Sequence, residues 1–169
     1  MVKVIQNENT IELKRLLSIH PNIVHMRDGI ADTLLMMTAE YTDNSSIVNI
    51  FIEYGCDVWA MNNKYNYNAY HIAALYNHHK ILDTLCRHDV TNINRGAGDN
   101  LTPLHHAAYR GNISCVDVLL RHNNIDVAVK DRRGLTAYDM AGSLMNKQNR
   151  DEIRKMIKDY EKSRKESRE

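Results

Sequence analysis

Thr33, Asn68, Thr102 and Thr136 hold equivalent places along the chain, 35, 34 and 34 residues apart, and the residues around them recur at the same spacing. A period of this length belongs to stacked units, each too small to cover its own apolar face. The best-formed copy, Leu101–Tyr138, reads LTPLHHAAYRGNISCVDVLLRHNNIDVAVKDRRGLTAY. Thr102 before Pro103 suits a helix N-cap followed by proline at the first helical position, where its missing N–H costs least. A short apolar helix continues through Ala107 and Ala108, Gly111 breaks it, and a second helix ends at Leu119 and Leu120. At the place of His105 stand Met36, His71 and Asp139, and at the place of Ala108 stand Ala39 and Ala74. Small residues there let neighbouring units approach closely.

In chain order the period gives an N-terminal unit at about 1–27, units at 28–60, 61–96 and 97–130, and a C-terminal unit at 131–160. Together they make one domain over 1–160, followed by a charged flexible tail at 161–169. The first unit reads as incomplete. Thr10, Ile11, Leu13, Leu16 and Leu17 predict one helix that Pro21 stops, with Glu12, Lys14 and Arg15 facing water as a solenoid cap requires. Helices are predicted over Leu34–Tyr41 and Ile47–Tyr54, the latter with Ile47, Val48, Phe51 and Ile52 on one face, and then over Ala69–Ala74. Ile81, Leu82, Leu85 and Cys86 form the buried face of the next. Gly55 and Asn66 stand where the chain must turn through positive φ, which glycine and, next best, asparagine tolerate. The segment Thr91–Asn100 lacks the Asp found at the matching turns, so its hairpin reads as the loosest. The last helix carries Ile153, Met156, Ile157 and Tyr160 among charges.

Lys and Arg number 22 against 21 Asp and Glu, so no global field draws the chain to nucleic acid or an anionic membrane. There is no run of 18 apolar residues and no apolar signal-peptide core in MVKVIQNENT, so neither a membrane span nor secretion by that route is expected. Cys56, Cys86 and Cys115, odd in number and about one unit apart, read as buried free thiols rather than a disulfide framework. Adjacent His78 and His79 face different ways on a helix and make a poor metal pair. Without H-E-x-x-H, paired C-x-x-C, G-x-x-x-x-G-K-[ST] or G-x-S-x-G, no catalytic, metal or cofactor site is expected.

TPLHHAA, GNISCVDVLL and DRRGLT together resemble the ankyrin repeat, and the resemblance runs along nearly the whole chain. It implies an all-α solenoid of stacked helix-turn-helix units with short β-hairpin-like loops. It also implies that the side chains of Thr33, Thr102, Thr136, His71 and His105 tie neighbouring turns together. Function in such a family falls on the hairpin tips and the outer edge of each first helix, which line a concave protein-binding groove. The partner-binding residues implied here are Tyr41, Lys64, Tyr65, Tyr67, Leu75, Tyr76, Asp99, Leu101, Tyr109, Arg110, Arg132 and Arg133, beside Ile30, Asp32, Glu40 and Leu135. Tyr and Arg join large contact area to directional polar groups and are enriched in interface hot spots. Tyr65, Tyr67, Tyr76, Tyr109 and Arg110 form the expected centre, while Trp59 is expected to pack between hairpins. Arg110, Arg132 and Arg133 make one end of the groove basic, and Asp28, Asp32 and Glu40 make the other acidic.

The resemblance therefore implies a monomeric, non-enzymatic protein-binding module in the cytoplasm or nucleus, with no cofactor, nucleic acid or membrane as partner. A narrower form is a compact signalling inhibitor similar to the NF-κB inhibitor family and its short viral copies. Host-directed effector work and adaptor work in a larger complex are the alternatives.

Overall fold

The computed structural model describes residues 1–142 and 147–167. Residues 143–146 of the expected C-terminal unit, and 168–169 of the expected tail, lie outside the described residues. Among the described residues ten α-helices follow one another: α1 (Val2–Gln6), α2 (Thr10–Ile19), α3 (Leu34–Tyr41), α4 (Ser45–Glu53), α5 (Ala69–Tyr76), α6 (His79–His88), α7 (Pro103–Arg110), α8 (Ile113–Leu120), α9 (Ala137–Met140) and α10 (Lys147–Glu166). A 3-10 turn spans Pro21–His25. The odd-numbered helices pack in order as one layer and the even-numbered helices as a second layer behind it. Among the described residues there is no strand ladder, only the isolated antiparallel bridges Arg27–Thr33 and Ala97–Leu101. This is the all-α solenoid that the period and the resemblance imply.

One structural slot recurs at the start of the odd-numbered helices α3, α5, α7 and α9. Thr33, Asn68, Thr102 and Thr136 each cap a helix with a side-chain oxygen, and the residue three positions on closes the box by accepting the cap's own N–H. That satisfies two helix-end donors at once. The acceptor is the Met36 sulfur at 3.4 Å, the Nδ1 of His71 at 3.4 Å, the Nδ1 of His105 at 3.2 Å and an Asp139 carboxylate oxygen at 2.9 Å. The histidines do more, because their far nitrogens donate onward along the chain, His71 to the Arg95 carbonyl at 3.1 Å at the end of its own unit and His105 to the Leu135 carbonyl at 3.3 Å in the next. Ala73, Ala74, Ala107 and Ala108 are fully buried between units.

Trp59 locks the 28–60 unit to its successor. It stacks on Tyr70 with ring centroids 4.2 Å apart, and its indole N–H donates to Asp89 at 2.6 Å. The Tyr70 hydroxyl in turn donates to the carbonyls of Leu85 and Asp89. Cys86 and Cys115 are buried free thiols and Cys56 is partly buried; burial pushes the first two up to about 12 and Cys56 to about 11, so all three stay un-ionised.

Four expectations need correction. The N-terminal unit is a helix pair, since α1 precedes α2 and buries Ile5 against the stack. Its outer surface is also less polar than a cap predicts: Lys14 and Arg15 face water, but Ile11 is 83% exposed, Ile19 54% and Met26 58%. On α4 it is Ile50 rather than Ile52 that is buried. At the other end, α10 runs on through Glu166, so 161–166 are helical rather than a tail; the Tyr160 hydroxyl, bonded to the carbonyls of His122 and Ile125, fastens that helix to the preceding unit.

The 91–100 segment makes up for its missing Asp with backbone. Ala97 and Leu101 exchange both N–H···O bonds, at 3.0 and 2.9 Å. A Cβ on Gly96 would stand 2.2 Å from the Asn100 side chain, so only glycine admits this closure.

Candidate interaction groove

Register along the two layers brings the exposed aromatic side chains to one side. Tyr41, Tyr76 and Arg110 occupy the C-terminal ends of α3, α5 and α7, while Ile30, Tyr65, Asp99 and Arg133 occupy matching hairpin positions. Tyr41, Tyr65 and Tyr76 are each 49% exposed and Ile30 is 41% exposed. Exposed large apolar groups gathered on one face, rather than scattered, mark a contact surface. Between the first helices and the hairpins lies a hollow of about 280 Å³ lined by Ile30, Asp32, Glu40, Asn62, Lys64, Tyr65, Tyr67, Ile72, Leu75 and Tyr76.

The hairpin over this hollow is shaped by Asn62. Its side-chain oxygen accepts the N–H groups of Tyr65 and Tyr67, both at 3.1 Å, and its amide donates to Asp32 at 2.7 Å, across to the previous hairpin. Asn66, at φ 56°, makes the reversal that aims Tyr65 and Tyr67 to the same side. Their ring centroids are 5.3 Å apart, and the Lys64 ammonium sits 4.7 Å from the Tyr65 centroid, a cation–π contact. Tyr67 also packs inward, 5.8 Å from the His71 ring and edge-on to His106 at 4.8 Å, which leaves it half-buried. Across the hollow the Tyr76 hydroxyl donates to Glu40 at 3.2 Å. Partial burial and the nearby Glu40 charge both raise the Tyr76 hydroxyl above its ordinary range.

Of the expected partner-binding residues, the structure therefore gathers Lys64, Tyr65, Tyr67, Leu75 and Tyr76 around one hollow, with Tyr41 and Arg110 exposed beyond it on the same row of helix ends. Tyr109 is half-buried, and Leu101 is held in the bridge to Ala97. Ile72 and Asn62 were missed. Ile72 reads as an ordinary core residue, and Asn62, which accepts turn N–H groups as Asp28 and Asp131 do, stands six residues before its cap where they stand five, so the period points to Asn63 instead.

The expected basic end is largely offset. Arg132 pairs with Asp99 at 3.3 Å, and Arg133 with the buried side chain of Asp131 at 2.9 Å. The acidic end keeps its charge, because among the described residues neither Asp32 nor Glu40 lies within ion-pair distance of a Lys or Arg.

No group of three His, Cys, Asp or Glu side chains converges as a metal set among the described residues, and no described helix is long and apolar enough to cross a membrane. His78 is used structurally, its Nδ1 donating to the Ala39 carbonyl at 2.8 Å. A family model described as ankyrin repeats in three copies matches residues 1–96, and a second, described as ankyrin repeats in many copies, matches residues 85–141. No curated protein matches the chain.

Proposed function

Because the chain belongs to the ankyrin repeat family, whose repeats are generally protein–protein interaction modules, we propose that it acts as a non-enzymatic protein-binding module. Its partner docks in the groove between the hairpin tips and the first helices. The observation that carries this reading is the gathering of half-exposed Tyr65 and Tyr76 with Ile30 and Leu75 around one hollow. Aromatic side chains in such a place give large contact area at little entropic cost, the pattern of interface hot spots. Masking or scaffolding a signalling protein in the cytoplasm or nucleus is the narrower role, as an inhibitor similar to the NF-κB inhibitor family would perform it. An adaptor in a larger complex would use the same surface.

Pull-down from a eukaryotic lysate with the native chain and with a Tyr65→Ala, Tyr76→Ala, Arg110→Ala variant tests this, once circular dichroism shows both to be equally helical. A protein retained only by the native chain supports the groove. Equal retention by both moves the contact surface to the even-numbered helices, the charged α10 among them. A steep loss of retention with salt that tracks co-purifying nucleic acid would instead favour a nucleic-acid partner.

A further inference from the structure

The hollow beside Tyr76 is chemically one-sided. Its walls are the phenol rings of Tyr65, Tyr67 and Tyr76 with Leu75, Ile72 and Ile30, and its carboxylates, Asp32 and Glu40, have no ion-pair partner among the described residues. One oxygen of Glu40 accepts the Tyr76 hydroxyl, and Asp32 accepts the Asn62 amide through Oδ1. Both carboxylates keep the charge and acceptor sites for a further donor.

Two cations face this place, and neither makes an ion pair with its carboxylates, though Lys64 feels the Asp32 charge through space. Lys64 lines the hollow, but its ammonium rests on the Tyr65 ring rather than on a carboxylate. Arg110 is exposed one unit further along, and the Tyr76 hydroxyl feels Glu40 more strongly than it feels Arg110. Lys64 over Tyr65 also shows that a ring here already attracts positive charge.

We infer that the groove's protein partner anchors through an arginine side chain, its stem along Leu75 and Ile72, its guanidinium against the Tyr65 and Tyr76 rings and hydrogen-bonded to Glu40. The inference rests on the groove being the binding surface. Arginine fits better than lysine because a planar, weakly hydrated guanidinium stacks on phenol rings and meets a carboxylate with paired donors. An acidic or purely aliphatic anchor would leave Glu40 and Asp32 desolvated without a counter-charge, a penalty that selects against such partners.

The test uses the full chain and small probes. N-acetyl-L-arginine amide and its neutral isostere N-acetyl-L-citrulline amide are titrated while the ring resonances of Tyr65 and Tyr76 are followed by NMR, with Glu40→Gln in parallel. The amide oxygen that Glu40→Gln introduces can still accept the Tyr76 hydroxyl, so that variant removes charge and leaves the wall in place. The expected result is saturable movement of both rings with the arginine probe, weakened by about fivefold or more in Glu40→Gln, and at least as much weaker binding of citrulline. Equal binding of the two probes, no effect of Glu40→Gln, or no saturable movement each overturns the arginine anchor. The groove reading fails separately. If the protein captured in the pull-down is lost with Tyr65→Ala and Tyr76→Ala but held undiminished by Glu40→Gln, the groove stands and the arginine falls.

Discussion

The second and third units, 61–96 and 97–130, share a pair of helices and a capping slot, yet each leaves a different polar atom stranded. In the third, the Thr102 hydroxyl donates to the Nδ1 of His105 at 2.8 Å, so cap and histidine satisfy each other. Asn68 fills the same slot in the second, and its amide nitrogen is buried without a partner. One position further along the relation reverses. Ile72 is an apolar fit, while its counterpart His106, only 5% exposed, has an unpartnered Nε2. What His106 gains is aromatic contact, edge-on to Tyr67 at 4.8 Å and to His71 at 5.9 Å. A repeat fixes where a side chain sits without fixing its chemistry, and the floor of the groove sits over the junction where two units settle that chemistry differently.

Acid separates this junction from the rest of the stack most strongly. Burial holds His71 down to about 3 and His106 to about 4, against 6.5 for a free imidazole. Between those values and 6.5 the unfolded chain binds more protons than the folded one, so their contribution is complete above about pH 6.5 and drains away as pH falls toward 4. At pH 5 the loss is about 2 kcal/mol for each of the two. Urea midpoints at pH 7 and pH 5 read it directly, and equal midpoints would sink the account. The carboxylates held below their usual range, such as Asp131 and Asp139, lose their contribution only at lower pH and leave this window clear.

Thr102→Ala should cost about 2 kcal/mol, because it removes a cap and the hydroxyl bond to the Nδ1 of His105, leaving that nitrogen only the backbone N–H. Thr33→Ala, opposite the weakly accepting Met36 sulfur, should cost nearer 1 kcal/mol. Similar losses at both sites in chemical denaturation would mean that the histidine adds nothing to the slot. In the opposite direction, His106→Ile copies Ile72 into the third unit and should stabilise by about 1 kcal/mol while reducing the acid sensitivity by about half. A destabilised variant would show that the edge contacts with Tyr67 and His71 outweigh the stranded nitrogen. The smallest effect is expected from Asn68→Thr, a gain of about 0.5 kcal/mol from giving the second unit the cap of its neighbours, measured as a rise in melting temperature.

The two-layer stack was readable from Thr33, Asn68, Thr102 and Thr136 because their spacing reports the units and their chemistry the helix starts. Helix α1 was not, since five residues offer too little periodicity to separate VKVIQ from an irregular end. The same weakness hid the last turns of α10, where alternating charges read as a solvated tail although Lys162 and Glu166 lie one turn apart on the helix. Lys64, Tyr65, Tyr67, Leu75 and Tyr76 could be placed on one face by carrying the groove positions of the resembling family onto the register of the units. The pairing of Arg132 with Asp99 could not, because it joins residues of successive hairpins, and the apparent charge of that end was overstated. Ile11 shows the limit of periodicity from the other side, fitting the helical pattern yet lying in water because no unit stacks against it among the described residues.

Trp59 turns the junction between the 28–60 and 61–96 units into an optical gauge. It is the chain's single tryptophan, stacked on Tyr70 and tethered by its indole N–H to Asp89, so its emission reports one seam of the stack while circular dichroism averages over every helix. If the seams part together, the two signals trace one curve. Should the histidine-bearing seam beyond it open first in acid, ellipticity will fall while the tryptophan still glows as in the intact protein, and the order in which a linear array comes undone can be read without a label.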